Sequence, residues 1–180
     1  HDNMIIHRDI KPQNIMVLQN GQIKMMDFGI AKVPNTETVT VTDKAIGTVY
    51  YMSPEQARGK RVDTRTDIYS FGATLYELCT GKTPFNGDSP CDILVKHITD
   101  EPVSPRSINA NVPKGLEQII LCAMSKSADD RFDTAEEMLG YMKRLRKNKK
   151  LRFKELPNYS RFGDFVRKIK RTLSRKKDVK

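Results

Sequence analysis

The sequence predicts a mainly α domain, α+β overall, with one small β-hairpin near its start. Three observations carry this expectation. Two short apolar runs, Ile15-Met16-Val17-Leu18 and Ile23-Lys24-Met25-Met26, are joined through Asn20-Gly21. Asn-Gly is the strongest short hairpin signal because both turn positions tolerate positive φ. Thr66 to Cys79 has apolar residues nearly all round a helix, which marks a central buried one, and Gly81 is placed to end it. Farther on, Ser89-Pro90 and Thr134-Ala135-Glu136-Glu137 carry helix-start signals, a capped proline and a capping box.

Taken in order, the hairpin comes first and puts Asn14 at one foot and Asp27 at the other, with Asp9 just upstream. An amide and a carboxylate oxygen at adjacent feet suit a hard divalent cation such as Mg²⁺, which takes few protein ligands and completes its shell with phosphate and water. Ser89-Pro90 opens a helix through about Ile98. Pro102 and Pro105 then break the chain. Pro113 to Met124 reads as a further helix, with Leu116, Ile119, Ile120 and Ala123 on one stripe. The helix after Thr134 carries Met138, Leu139, Met142 and Leu145. His97 reads as a surface or satisfied residue.

His7-Arg8-Asp9-Ile10-Lys11-Pro12-Gln13-Asn14, then Asp27-Phe28-Gly29, then Ser53-Pro54-Glu55, form three motifs in a fixed order. An isolated Asp-Phe-Gly is an ordinary turn, and an isolated Asn an ordinary cap. Together they resemble the catalytic loop, metal loop and activation-segment end of a eukaryotic-like, bacterial-type Ser/Thr protein kinase. Ser53 stands where the usual motif has Ala; Glu55 is kept. The resemblance covers residues 1 to about 147 and corresponds to the larger, mostly helical C-terminal lobe. The Gly-rich phosphate loop, the strand lysine and its paired helix glutamate are not among these residues, so the N-terminal lobe is expected to be absent from this chain. By the same resemblance residues 1–6 end the helix before the catalytic loop.

The resemblance implies roles. Asp9 would be the catalytic base and Lys11 its electrostatic partner on the transferring phosphoryl group. Asn14 and Asp27 would hold Mg²⁺, with ATP as the phosphoryl donor. Lys11-Pro12 resembles Ser/Thr rather than Tyr kinases. His7 and Phe28 would be packing residues joining the catalytic loop to the metal loop. Thr48 would bond Asp9 and Lys11. Glu55 would pair with Arg131 in a buried structural contact. Asp67 would anchor the catalytic-loop backbone, although an Asp near a helix start is also an ordinary cap.

Residues 30–52 would be the activation segment. Thr36, Thr38, Thr40 and Thr42 alternate in a stretch without helical period, which fits an exposed polar loop or regulatory phosphorylation. Bacterial members with a Thr-x-Thr pair single out Thr40 and Thr42, with Arg8 as the guanidinium that receives the phosphate and Lys32 beside it.

Composition bounds the rest. The chain of 180 residues suits about one domain and at 38% hydrophobic can bury a core. No apolar run approaches the roughly 18 residues of a spanning helix. The start at His1 shows no charged-then-apolar leader, so no signal peptide is expected and a processed or partial chain is. Cys79, Cys91 and Cys122 lack metal spacing and read as reduced core fillers in a cytosolic setting. Residues 143–180 hold 17 Lys and Arg against 3 Asp and Glu, net +14, which leaves the remainder at 15 basic, 19 acidic and net −4. The division is therefore a kinase lobe over 1–147 and a basic, amphipathic, juxtamembrane-like tail over 148–180. From Ser160, Phe162, Phe165, Val166, Ile169 and Leu173 fall at helical spacing among Lys and Arg. Such a stretch, 160–177, suits an anionic membrane surface or an acidic partner; a packed helix or a solvated tail stays open. Similar bacterial kinases have a basic linker here before a membrane span, so a membrane-anchored parent with a cytoplasmic kinase domain is one expectation. No specific nucleic-acid binding is expected, since no motif accompanies the charge.

The function implied is transfer of the ATP γ-phosphoryl group to protein Ser and Thr hydroxyls by the parent protein, with this chain a partial catalytic domain inactive alone. The rival is a non-catalytic module derived from a kinase lobe that binds peptides or partners.

Overall fold

The computed structural model describes residues 1, 5–27, 47–154 and 156. Phe28, Thr40, Thr42 and the stretch 160–177 lie outside them. Strand β1 (Ile15–Val17) pairs antiparallel with β2 (Ile23–Met25), Ile15 opposite Met25 and Val17 opposite Ile23. The turn between them needs Gly21 at φ +79°, where a side chain would be strained. The Met26 N–H donates to the Asn14 carbonyl at 2.9 Å, which carries the pairing to the hairpin feet. A 3₁₀ turn, Pro12–Asn14, precedes β1. Ile5 and Ile6 are not helical, and residues 2–4 of the expected helix end lie outside the described residues; Ile5 stands half exposed.

Six α-helices with both ends described follow among the described residues: α1 (Pro54–Ala57), α2 (Arg65–Thr80), α3 (Pro90–Thr99), α4 (Pro105–Ile108), α5 (Lys114–Ala123) and α6 (Ala135–Lys147), with a 3₁₀ turn at Ala128–Asp130 between the last two. α2 is the expected central helix. It ends at Gly81 in the left-handed conformation, φ +70°, as its stop signal requires. Hydroxyls along it are satisfied on its own axis, buried Thr74 donating to the Ser70 carbonyl at 2.9 Å and half-buried Thr80 to that of Tyr76 at 2.8 Å. Gly72 lets α5 approach closely: a Cβ there would lie 2.8 Å from the Ala123 side chain.

The core lies on both sides of α2. On one side Val49, Tyr51, Tyr69, Tyr76, Phe85, Ile93 and Met124 pack together. On the other Ile68, Ile119, Phe132, Met138, Leu145, Phe153 and Leu156 do so. The packed chain runs past α6, because Gln118 holds the Phe153 backbone by two hydrogen bonds of 2.9 and 3.0 Å.

Several local expectations are refined. Pro105 does not simply break the chain; it stands at the first turn of α4, where its missing N–H costs nothing. Thr134 caps α6 by accepting the Glu137 N–H, but Glu137 reaches back to the N–H of Asp133 rather than to Thr134, so the box closes one residue early. Cys122 is buried and Cys79 half-buried, whereas Cys91 is exposed on α3 and fills no core. His97 is wholly buried, its Nδ1 2.8 Å from the Tyr69 hydroxyl and its ring edge-on to Phe85 at 4.8 Å. Burial, with the Lys126 ammonium nearby, pushes its pKa down to about 3. Lys126 itself donates to the last carbonyls of α3, with His97 O at 3.0 Å, and lies 4.5 Å over the Phe85 ring. Burial pushes its pKa down to about 8.

Candidate active site

The site is built on the loop of residues 7–14, held between the hairpin and α2. Asp67, in the first turn of α2, does not cap its helix. Its carboxylate turns to the loop and accepts the backbone N–H of His7 and of Arg8, each at 2.8 Å. Burial pushes the Asp67 carboxyl up, and these two N–H donors pull it back. The His7 ring accepts the Asp9 N–H at Nδ1, 3.3 Å, so Nε2 carries the proton it directs to the Met26 carbonyl, 3.2 Å. His7 therefore ties the loop to the residue before Asp27.

Three side chains then meet on the Asp9 carboxylate. Lys11 Nζ lies 2.9 Å from Oδ2. Thr48 Oγ1 donates to Oδ1 at 3.1 Å and accepts from Lys11 Nζ at 2.8 Å. Asn14 Nδ2 donates to Oδ2 at 3.0 Å and to the Asp9 carbonyl at 2.8 Å. Asp9 and Lys11 are both largely but not wholly enclosed, with side-chain exposures of 17% and 13%. A charged pair at this depth is screened less than a surface pair yet stays open to a substrate.

Asp27 is exposed and holds a left-handed backbone, φ +51°, at the far foot of the hairpin. Because Asn14 Nδ2 is committed to Asp9, its Oδ1 is the atom left for a ligand. One amide oxygen and one exposed carboxylate form an all-oxygen donor set, which fits Mg²⁺ sharing its shell with phosphate and water. Among the described residues no cluster of three or more His, Cys, Asp or Glu offers a site for a softer metal. Arg8 makes no ion pair among the described residues, and its backbone has φ +65°.

The floor of the site is residues 47–57. Arg131 grips Glu55 through two parallel bonds, Nη1 to Oε1 at 2.7 Å and Nη2 to Oε2 at 2.8 Å. Burial pushes the Glu55 carboxyl up, but the Arg131 fork and the Thr66 hydroxyl outweigh it and hold its pKa at about 2. Two contacts had no sequence expectation. The Tyr51 hydroxyl donates to Glu77 on α2, and burial beside that carboxylate drives the phenol pKa up. Gln56 Nε2 donates to the Arg8 carbonyl at 2.9 Å. Neither has a local periodic signal, since the partners are far apart in sequence.

The profile of the family described as the protein kinase domain matches residues 1–156. The chain belongs to the protein kinase domain family. This kinase chain is 47% identical over 148 residues to a probable serine/threonine-protein kinase of Clostridium perfringens, covering 82% of this chain and 22% of that protein. It is 48% identical over 140 residues to the serine/threonine-protein kinase PknB of Mycolicibacterium smegmatis, covering 77% of this chain and 22% of that one. PknB of Mycobacterium tuberculosis is similar at 45% over 140 residues. The matched kinase segment thus spans about a fifth of the length of these relatives.

Proposed function

We propose that the full-length protein transfers the γ-phosphoryl group of ATP to Ser and Thr hydroxyls of proteins. The observation that supports this most is the convergence of Lys11 and Thr48 on the two oxygens of the Asp9 carboxylate. Under this reading Asp9 orients the substrate hydroxyl and accepts its proton. Lys11 sets a positive charge where charge develops on the transferring group. Thr48 holds both in register and forms the floor beside the acceptor residue. Asn14 and Asp27 would hold Mg²⁺, which would supply positive charge to offset that of the phosphates. His7 keeps Asp27 at a fixed place relative to Asp9. Most of this chemistry is positioning, so groups that only hold others have large effects.

Thr40 and Thr42 are the proposed regulatory phosphorylation sites and Arg8 their partner. The domain works in the cytoplasm under this reading, with residues 160–177 against an anionic membrane surface. The relatives' names, all serine/threonine-protein kinases, support the reaction class.

Radiolabelled ATP and a generic basic protein substrate test the proposal in the full-length protein. Label on phosphoserine and phosphothreonine, dependent on Mg²⁺ and lost in Asp27→Asn, is the expected result. Label on tyrosine alone, or transfer unaffected by chelation, contradicts it.

A further inference from the structure

Arg8 is one of two non-glycine residues with positive φ among the described residues, at +65°. Such a backbone persists only where its surroundings over-determine it. The two peptide groups flanking Arg8 are held from different elements. Its N–H donates to Asp67 of α2 at 2.8 Å, and its carbonyl accepts from Gln56 of α1 at 2.9 Å. The second bond reaches the peptide that joins Arg8 to Asp9.

The Gln56 amide is divided between two tasks. Its Oε1 accepts the Ser53 N–H at 3.1 Å, while the Gln56 backbone N–H donates to Ser53 Oγ at 3.3 Å, closing the capping box of α1. That leaves Nε2, the donor end, for Arg8. One stretch, residues 48–56, therefore touches Asp9 twice: Thr48 bonds its carboxylate at 3.1 Å, and Gln56 holds the peptide behind it. The neighbouring Glu55 is anchored on Arg131.

We infer that Gln56 is a positioning residue for the Asp9 carboxylate. By holding the Arg8 carbonyl it fixes the plane of the Arg8–Asp9 peptide. Rotation of that plane swings Asp9 away from Lys11 Nζ and Thr48 Oγ1. The inference rests on the reading of Asp9 as the base. It joins the placement of the activation-segment end to the alignment of the base through a backbone bond, in addition to Thr48.

Two substitutions separate this role from simple capping. Gln56→Glu keeps an oxygen for the Ser53 N–H and loses the donor, setting a carboxylate against the Arg8 carbonyl. Ser53→Ala weakens the cap and leaves the Gln56–Arg8 bond in place. In the full-length protein, Gln56→Glu should lower kcat by about 10- to 100-fold, since displacements of an ångström cost that much. KM for ATP and the melting temperature should hold. Hydrogen exchange of the 7–14 peptide should quicken in the same variant. Ser53→Ala should lower the melting temperature and leave hydrogen exchange of the 7–14 peptide as it was. Wild-type kcat and exchange in Gln56→Glu, or an equal quickening of exchange of the 7–14 peptide in Ser53→Ala, overturns the inference. If the wild type transfers no phosphate, or Asp9→Asn changes nothing, the reading of Asp9 fails instead; exchange alone then decides whether Gln56 holds the loop.

Discussion

Glu55 and Arg131, 76 residues apart in sequence, face each other as a two-pronged ion pair with Arg131 fully enclosed. Arg131 Nη1 also donates to the Arg65 carbonyl at 3.0 Å, its Nε to that of Ser125 at 2.8 Å, and its guanidinium lies 4.9 Å over the Tyr69 ring. The pair thereby fastens the floor of the site to the start of α2 and to the segment before α6. Geometry of this quality is what lets a buried pair offset its desolvation.

Removing either partner leaves the other charged and buried. Glu55→Gln or Arg131→Met should each cost about 3–5 kcal/mol in denaturant unfolding at neutral pH. The double variant should recover part of that loss, because no lone charge remains. A single-variant cost below about 1 kcal/mol, the range of exposed pairs, would show the pair to be a surface one in effect.

Acid should unfold the domain in two overlapping stages. His97 has a folded pKa pushed below its ordinary value, so the unfolded chain takes up its proton first. Stability falls as pH drops from about 6.5 towards about 3. Glu55 is also depressed, and its contribution is present above about 4.5 and lost as pH falls towards about 2. His97→Gln should flatten the stability curve in the first window and leave the second. Equal slopes above pH 5 in both proteins would refute the assignment to His97.

Much of the site was readable because the chemistry demands particular residue types within a short span. Asp9, Lys11 and Asn14 fall within six residues of sequence, and the Asn-Gly turn brings Asp27 back to them without long-range information. α2 was readable because its apolar residues recur nearly all round the helix, although Leu78 stands exposed in the fold. The polar links that hold the site were less so. Asp67 could equally have capped its helix, and only the folded chain turns its carboxylate to His7 and Arg8. The Gln56 contact to Arg8 joins residues 48 positions apart and leaves no pattern in the sequence. His97 is a polar side chain on an amphipathic helix; its place between Tyr69 and Phe85 is decided by tertiary packing.

Thr40 and Thr42 should be phosphorylated in the full-length protein by its own activity. A phosphate adds nearly two negative charges and needs a cation, for which Arg8 beside Asp9 is suited. Phosphopeptide mapping of wild type and Asp9→Asn checks this. Equal modification in both, or modification only at other sites, runs against it.

Residues 160–177 should bind vesicles containing anionic lipid and ignore neutral ones. Phe162 to Leu173 supplies an apolar stripe, and each flanking Lys or Arg near such a surface contributes about 1 kcal/mol. Binding should weaken with added salt, as the Debye length shortens to about 8 Å at physiological ionic strength. Co-sedimentation of the full-length protein and of the peptide measures it. Absence of binding by either withdraws the membrane reading.

The central claim is that Asp9 carries the proton in phosphoryl transfer. The direct measurement is kcat of Asp9→Asn in the full-length protein, with melting temperature and Mg²⁺–ATP affinity followed alongside. Asn keeps the shape and an oxygen for Thr48 but cannot take a proton at neutral pH. The expected result is a fall in kcat of about 10²- to 10⁴-fold with fold and nucleotide binding retained. A variant that turns over at near the wild-type rate would contradict the account.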